Sequence, residues 1–553
     1  MAQSDYTPLN DTREAEGIQP IHSDAYNLPT RPKSCQGSAS QDEADHEQRL
    51  PLGKAIKLYP KVARWCLVMT LAIISWGYQL VIVGAIVSVD AFKRDYGETF
   101  ERRQIIPSMW LSMWFGLPPA GTACGAVAAG WLGDRIGRKW TLFTGSIVSA
   151  GAVVVIFFSH VGDTAVTKRA MFTGGITIQG FAVGLIKTTC LTYVSENAPT
   201  SMRGSAMALF PTFTLVGQLI GFVVTYVTNG VPSRRGYLGA LGSQGVLALA
   251  PLIISLTMHE SPAWLLRKGK TDRAFRSATK LFASNISPSL VLKGYRDTLE
   301  EERATTGGAT FAACFKDTNL RRTFITILAN VFPALFGLDL LSNANTFLET
   351  VGLDSSTALL MMIAGVVAGI GGNGVGIWTL SKVGRRPATF WTMGVAAAFW
   401  GGVGVCGFFR DKSTIAPYFV AGFMVATIIV CGLGCWPAGY AILGETPSLR
   451  LRAKTQGIGN VSAQAGSIVM AASLPYLYQV DAADLGAFTG FIYCGLCTIG
   501  VAVGFFCLPE MKGRSGIEID RMFELRLPPR KFRDWRGPPV DPMDVSEVGI
   551  RRG

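Results

Sequence analysis

Charge is what this sequence has least of. Of 553 residues, 16% are Asp, Glu, Lys or Arg, against about a quarter in an ordinary soluble chain, so a water-surrounded globular fold is excluded. Histidine occurs four times, and neither an HExxH stretch nor a GxxxxGK[ST] loop is present. Zinc hydrolysis and nucleotide hydrolysis therefore lack the residues they require, and no enzyme, cofactor or metal is expected. The first sixty residues also lack the apolar run of a cleaved signal peptide. Rich in Asp, Glu, Ser and Pro, residues 1–60 are expected to form a disordered cytoplasmic tail, because such a composition buries too little apolar surface to offset chain entropy.

What is abundant is hydrophobe, 49% of the chain, in runs long enough to cross a bilayer, roughly 20 residues each. Such runs recur twelve times, near 63–89, 107–132, 140–160, 171–194, 205–228, 238–258, 324–347, 356–380, 388–409, 416–443, 456–476 and 486–508. A multi-pass membrane protein follows. An even number of crossings puts both termini on one side, together with the short loops that carry Arg135, Arg138, Lys139 and Lys382, Arg385, Arg386. The positive-inside rule makes that side the cytoplasm, although Lys93, Arg94, Arg102, Arg103, Arg234 and Arg235 fall in the opposite loops. The net charge of +13 points to anionic lipid and not to nucleic acid. Most of the eleven cysteines lie in or beside the runs and are expected to pack there; the Cys494–Cys497 pair has no His near it to make a metal site.

Three motifs occur twice. GWLGDRIGRK (130–139) is echoed by SKVGRR (381–386), SENAPTSMRG (195–204) by GETPSLRLRAK (444–454), and HESPAWLLRKGK (259–270) by PEMKGRS (509–515). The offsets from Gly137 to Gly384, Glu196 to Glu445 and Glu260 to Glu510 are 247, 249 and 250 residues. Three signatures in one register imply two parallel six-helix halves. The expected boundaries are 61–258 for the first half, 259–320 for a linker with short helices, 321–508 for the second half and 509–553 for a second cytoplasmic tail. The motifs suit conformational work. Gly130, Gly133 and Gly137 permit close helix approach and a tight turn. Asp134 can accept from Arg138 and sit near a helix N-terminus. Glu196 and Glu445, with Arg203, Arg450 and Arg452, can form ion pairs that join neighbouring helices in one state and part in another. Arg135, Glu260, Gly384, Arg385, Arg386 and Glu510 complete the candidate gating set.

The same motifs, with AIKLYPK (55–61), GYQ (77–79), GQLIG (217–221), FLETVGL (347–353), LPYLY (474–478) and GAFTGF (486–491), resemble the major facilitator superfamily. Within it they are similar to the sugar porters and the fungal α-glucoside (maltose) permeases. The resemblance runs from about residue 51 to 526. It implies an all-α membrane fold of twelve transmembrane helices in two pseudo-symmetric six-helix bundles. It further implies a monomeric secondary transporter, in the plasma membrane, that moves a sugar, α-glucoside or related polyol by alternating access. In proton-coupled sugar porters the position of Gln79 is usually Asp; an amide can hydrogen-bond a hydroxyl but carries no proton. Polar positions of the family also align with Ile176, Pro211 and Pro333. The expected substrate contacts are Gln79, Gln218, Gln244, Asn343, Trp436, Tyr440 and Gln464, with Gln79 alternatively serving as an interhelical bond.

Two ionisable groups lie inside the runs. Asp339 in FGLDLLSNANTF (336–347) is a costly carboxylate that must face a cavity or a partner; it is the candidate proton carrier if transport is proton-driven, and otherwise the protein is expected to be a facilitator. Lys187 in GLIKTTC (184–190) could snorkel to the interface, neutralise Asp339 or bind an acidic substrate. A same-fold transporter or exporter of a non-sugar compound, such as a fungal secondary metabolite, is therefore the alternative. A transport-dead nutrient sensor is a third reading, disfavoured by the 43 residues that follow Glu510.

Overall fold

In the computed structural model of the chain, the described residues are 52–101, 103–282, 287–306, 310–410, 412–448, 451–512, 514 and 516–535. Six long helices form the first half: α1 (Pro60–Val87), α2 (Ser108–Ile136), α3 (Arg138–Phe158), α4 (Ala165–Asn197), α5 (Thr200–Asn229) and α6 (Arg234–Thr257). Their starts follow local chemistry. Pro60 needs no amide partner at the first position of α1, and the Thr164 hydroxyl accepts from the Thr167 amide to cap α4. In the second half come α7 (Asp317–Leu335), α8 (Leu338–Ser342), α9 (Ala344–Val351), α10 (Ser355–Val383), α11 (Arg385–Cys406), α12 (Ala416–Leu433), α13 (Cys435–Glu445), α14 (Arg452–Tyr478) and α15 (Thr489–Cys507).

Two of the twelve predicted spans are broken. α7, α8 and α9 together make the seventh, and α12 with α13 makes the tenth. Among the described residues, nine segments are long and apolar enough to cross a membrane. The predicted spans beyond these nine are α2, α14 and the α7–α9 segment. α14 is less apolar because it carries Gln456, Asn460, Gln464 and Ser467, and α7 opens on Asp317, Arg321 and Arg322. α2 is diluted by Ser, Thr, Gly and two internal prolines. With these, the twelve segments pack as two six-helix bundles that meet along α2 with α14 and α5 with α10.

The linker contains the expected short helices, at Pro262–Arg267, Thr271–Leu281 and Pro288–Thr306. It docks beneath the first bundle through Trp264 Nε1 to Asp134 O (3.1 Å) and Tyr295 OH to Glu196 O (3.1 Å). The two tails need correction at their edges. Residues 1–51 lie outside the described residues, but Leu52–Leu58 is helical. Beyond Glu510, Gly516–Glu524 forms a helix that buries Ile519, Met522 and Phe523 and pairs Asp520 with Arg322 of α7. Its apolar positions three and four apart give it a face to bury, so this stretch packs instead of trailing free.

Candidate functional site

The break in the seventh span is built by Gly337, which adopts a left-handed φ of 89°. A Cβ there would meet Trp400 at 2.8 Å, so glycine is required on both conformational and steric grounds. Three carbonyls at the break find side-chain donors, as non-helical backbone at membrane depth requires. Phe336 O accepts from Trp400 Nε1 (2.9 Å), Leu335 O from Cys497 Sγ (3.5 Å) and Asp339 O from Asn343 Nδ2 (2.9 Å). The tenth span breaks at Gly434, where the Thr392 hydroxyl accepts the Cys435 amide (2.9 Å).

These breaks border a cavity between the bundles. From the first half it takes Leu215, Gln218 and Phe222, and from the second Leu341, Ser342, Met362 and Trp436, among others. The lining is chiefly apolar and the free space about 20 Å³, room for roughly one water. Of the expected substrate contacts, Gln218 and Trp436 are in this lining. Gln218 is buried, at 6% exposure.

The other expected contacts are placed differently. Gln79 is half-buried in α1 and its Oε1 is buried without a partner among the described residues. Gln244 is buried in α6, away from the lining. Asn343 is turned back as the cap of Asp339 O and packs on Gly84 of α1, a structural duty that the polar cluster in the sequence did not reveal. Tyr440 is 49% exposed, one turn beyond Trp436, and Gln464 is half-buried on α14.

Asp339 and Lys187 are not a pair. Asp339 Oδ1 accepts from the Ser467 hydroxyl on α14 at 2.5 Å. Lys187 Nζ lies 3.7 Å from the ring centroid of Trp76 on α1 and has no ion pair among the described residues. Lys187 stands ten residues before the end of α4, about 15 Å along the helix.

At the other motifs the duplication is preserved to individual atoms. Arg138 donates two bonds to Glu196 (2.7 and 3.2 Å), and Arg385 donates two to Glu445 (2.6 and 3.1 Å). Glu260 accepts the Arg138 and Lys139 amides (2.8 and 3.2 Å) at the start of α3, and Glu510 accepts those of Arg385 and Arg386 (3.2 and 3.1 Å) at the start of α11. Gly137 and Gly384 have φ of 97° and 104°, and a Cβ on either would strike the capping glutamate.

The expected gating set is thus partly reassigned. Glu260 and Glu510 are helix caps whose charge complements the helix dipole, the place the sequence reading gave to Asp134; burial pushes the Glu260 carboxyl up, against three amide donors that lower it. Asp134 does accept from Arg138 (3.2 Å) but is largely exposed. Gly130 has open space where a Cβ would go, so no helix approaches closely there. Arg135 stacks over Trp131 (4.2 Å) and Arg386 donates to Phe505 O (3.0 Å), each outside the ion pairs. Arg450 and the side chains of Arg203 and Arg452 lie outside the described residues.

The halves are joined at the end opposite the motifs. Lys93 pairs with Glu349, the Ser108 amide donates to Asp481 (2.7 Å), the Ser112 hydroxyl to Ala472 O, the Thr346 hydroxyl to Gly84 O (2.8 Å) and Asn229 to Ser356 (3.2 Å). Sequence reading missed these links, since each joins residues more than a hundred positions apart. A further link, Asn373 to Thr212 (3.2 Å), lies on the motif side.

Comparison with known proteins bears on this arrangement. The family model described as Sugar (and other) transporter matches residues 65–523. Among curated proteins, the chain is 28% identical to the MFS transporter fmqE of Aspergillus fumigatus, over 83% of this chain and 85% of that protein. It is 27% identical to the maltose permease MAL61 of Saccharomyces cerevisiae, over 92% and 83%. Among solved structures, the partially occluded inward-open xylose transporter XylE from E. coli superposes with a TM-score of 0.68 at 18% identity, covering 82% of this chain and all of that one. The shared fold is that of the major facilitator superfamily.

Proposed function

We propose, since the chain belongs to the Sugar (and other) transporter family, that it is a secondary transporter carrying a sugar, α-glucoside or related polyol by alternating access. The observation that carries this reading is the asymmetry of the ties. The Arg138–Glu196 and Arg385–Glu445 pairs each stay within one half, whereas Lys93–Glu349 and its neighbours join the halves at the opposite end. Such a distribution suits one state of a rocking pair of bundles around a central cavity. In this reading the motif end is cytoplasmic, the opposite end is closed, the protein works as a monomer in the plasma membrane, and its boundaries are those of the sequence repeat.

Asp339 is the proton carrier of this scheme. It borders the cavity's broken helix, is bound by a hydroxyl that tolerates either protonation state, and is free of Lys187. The amide at Gln79 then serves binding alone. The test is uptake by a transporter-deficient yeast of labelled maltose, glucose and polyols. Saturable uptake of at least one is expected, and failure of all of them in cells where the protein reaches the membrane refutes the sugar reading.

A further inference from the structure

Lys187 is a half-buried cation, well inside the length of α4, that the proposed cycle leaves unused. Its ammonium lies over the face of Trp76, an arrangement that offsets part of the desolvation cost but leaves the charge without a counter-ion. Trp76 stands sixteen residues into α1, roughly 24 Å from its start, so the pair sits at mid-span. A bare ammonium at this depth marks a functional site by its cost.

The internal repeat places Lys187 independently. It lies nine residues before Glu196 on the uninterrupted end of α4, and Trp436 lies nine residues before Glu445 on α13. Because these glutamates occupy matching latches, Lys187 is the counterpart of Trp436, a residue of the cavity lining. Its neighbourhood holds further polar side chains. Gln79, with its unpartnered Oε1, is one turn from Trp76 on the same face of α1. Next to Trp76, Gly77 packs on Thr214 of α5, and one turn further along α5 is the buried amide of Gln218, which lines the cavity.

From this row we infer that the transported compound carries a carboxylate, bound at Lys187 with its adjoining apolar or ring face against Trp76, while Gln79 and Gln218 take its hydroxyls. The preferred cargo is thereby a hydroxylated organic acid, such as a sugar acid, held more tightly than its neutral counterpart. The inference rests on the reading of the chain as a transporter. It narrows that reading by chemistry: a neutral sugar would leave the ammonium unpaired in the loaded state, and a cation would be repelled.

The full chain in nanodiscs can be titrated by tryptophan fluorescence with matched pairs, D-glucuronate against D-glucose and 4-hydroxybenzoate against 4-hydroxybenzyl alcohol. Wild type is expected to bind the acid of at least one pair tenfold or more tighter than its neutral partner. Lys187→Gln should lose the preference and Lys187→Arg keep it. Equal affinity within both pairs, no binding of either acid, or a preference that survives Lys187→Gln overturns the inference. The wild-type comparison alone decides if the glutamine variant fails to fold. Counterflow of the same compounds and maltose in proteoliposomes separates the two readings. Counterflow of the acids that is indifferent to Lys187→Gln removes the anion subsite and leaves transport standing, whereas acid binding with no movement of any compound removes transport and leaves the subsite.

Discussion

Lys93 and Glu349 form an ion pair across the two bundles, at the end of the molecule away from the duplicated motifs. Both side chains are largely buried, at 14% and 24% exposure. Removing one leaves the other charge poorly solvated and loosens the seam it closes. Lys93→Ala should therefore populate a state open at this end. The measure is labelling of Ser342→Cys, in a background without native cysteines, by an impermeant maleimide added outside. Labelling at least severalfold faster in the Lys93→Ala background is expected; an unchanged rate would show that the pair is not a closing contact.

The two motif-end latches share one geometry but differ in burial, and that difference has a consequence. Arg138 and Glu196 are 6% and 10% exposed, Arg385 and Glu445 20% and 29%. Breaking a buried pair costs about 3–5 kcal/mol because a charge is left unpaired, and solvent relieves much of that at the more open site. Arg138→Ala should lower the melting temperature in detergent more than Arg385→Ala. Both should reduce turnover far more than affinity, since neither arginine touches the cavity. Equal melting shifts would contradict the burial argument, and weakened binding with intact turnover would contradict the gating one.

Glu260 allows a separation of charge from hydrogen bonding. Its two oxygens receive the Arg138, Lys139 and Ser261 amides, while burial raises its carboxyl above the usual range, so ionisation itself is opposed by the site. Glu260→Gln keeps one acceptor and removes the cost of burying charge; Glu260→Ala leaves buried amides unmet, at about 1–3 kcal/mol. The alanine variant should be clearly less stable in thermal unfolding and the glutamine variant close to wild type. The sign of the raised carboxyl also fixes the pH trend. Glu260 binds its proton more tightly folded than unfolded, so its contribution favours the fold below the folded value and is lost as pH rises through it. Glu260→Gln should therefore flatten the fall in stability as pH rises from the ordinary carboxylate range to the folded value.

The repeat, the spans and the latch glutamates were all legible in the sequence, because periodic apolar runs and registered motifs are local features. What the sequence concealed depends on partners far along the chain. Lys93 reads as a loop charge until Glu349 is brought to it, and Glu260 reads as a latch until its oxygens are seen on the first amides of α3. Asn343 reads as a substrate contact, but the break at Gly337 turns its amide onto the Asp339 carbonyl. The breaks themselves were hidden because Gly337 and Gly434 sit in runs that are apolar on both sides, where hydropathy registers length and not continuity. Lys187 was visible as an anomaly, and only the geometry distinguished among its partners.

Coupling is the remaining test, and it turns on Asp339. Lys187 is held at Trp76, no cation among the described residues pairs with the Asp339 carboxylate, and the Ser467 hydroxyl can donate to the ionised group or accept from the neutral one. A carboxyl so placed can take up and release a proton as the cavity changes sides. Asp339→Asn mimics the neutral form permanently. It should abolish accumulation against a gradient while sparing exchange of substrate, because binding persists and only the proton loses its seat. Ser467→Ala should act in the same direction but incompletely, since it removes a hydrogen bond and leaves the carboxyl. Steady-state accumulation with and without a protonophore, in wild type and both variants, checks this. Protonophore-sensitive accumulation that survives Asp339→Asn would assign coupling elsewhere, and wild-type uptake that equilibrates without accumulating would make the protein a facilitator in which Asp339 tunes affinity alone.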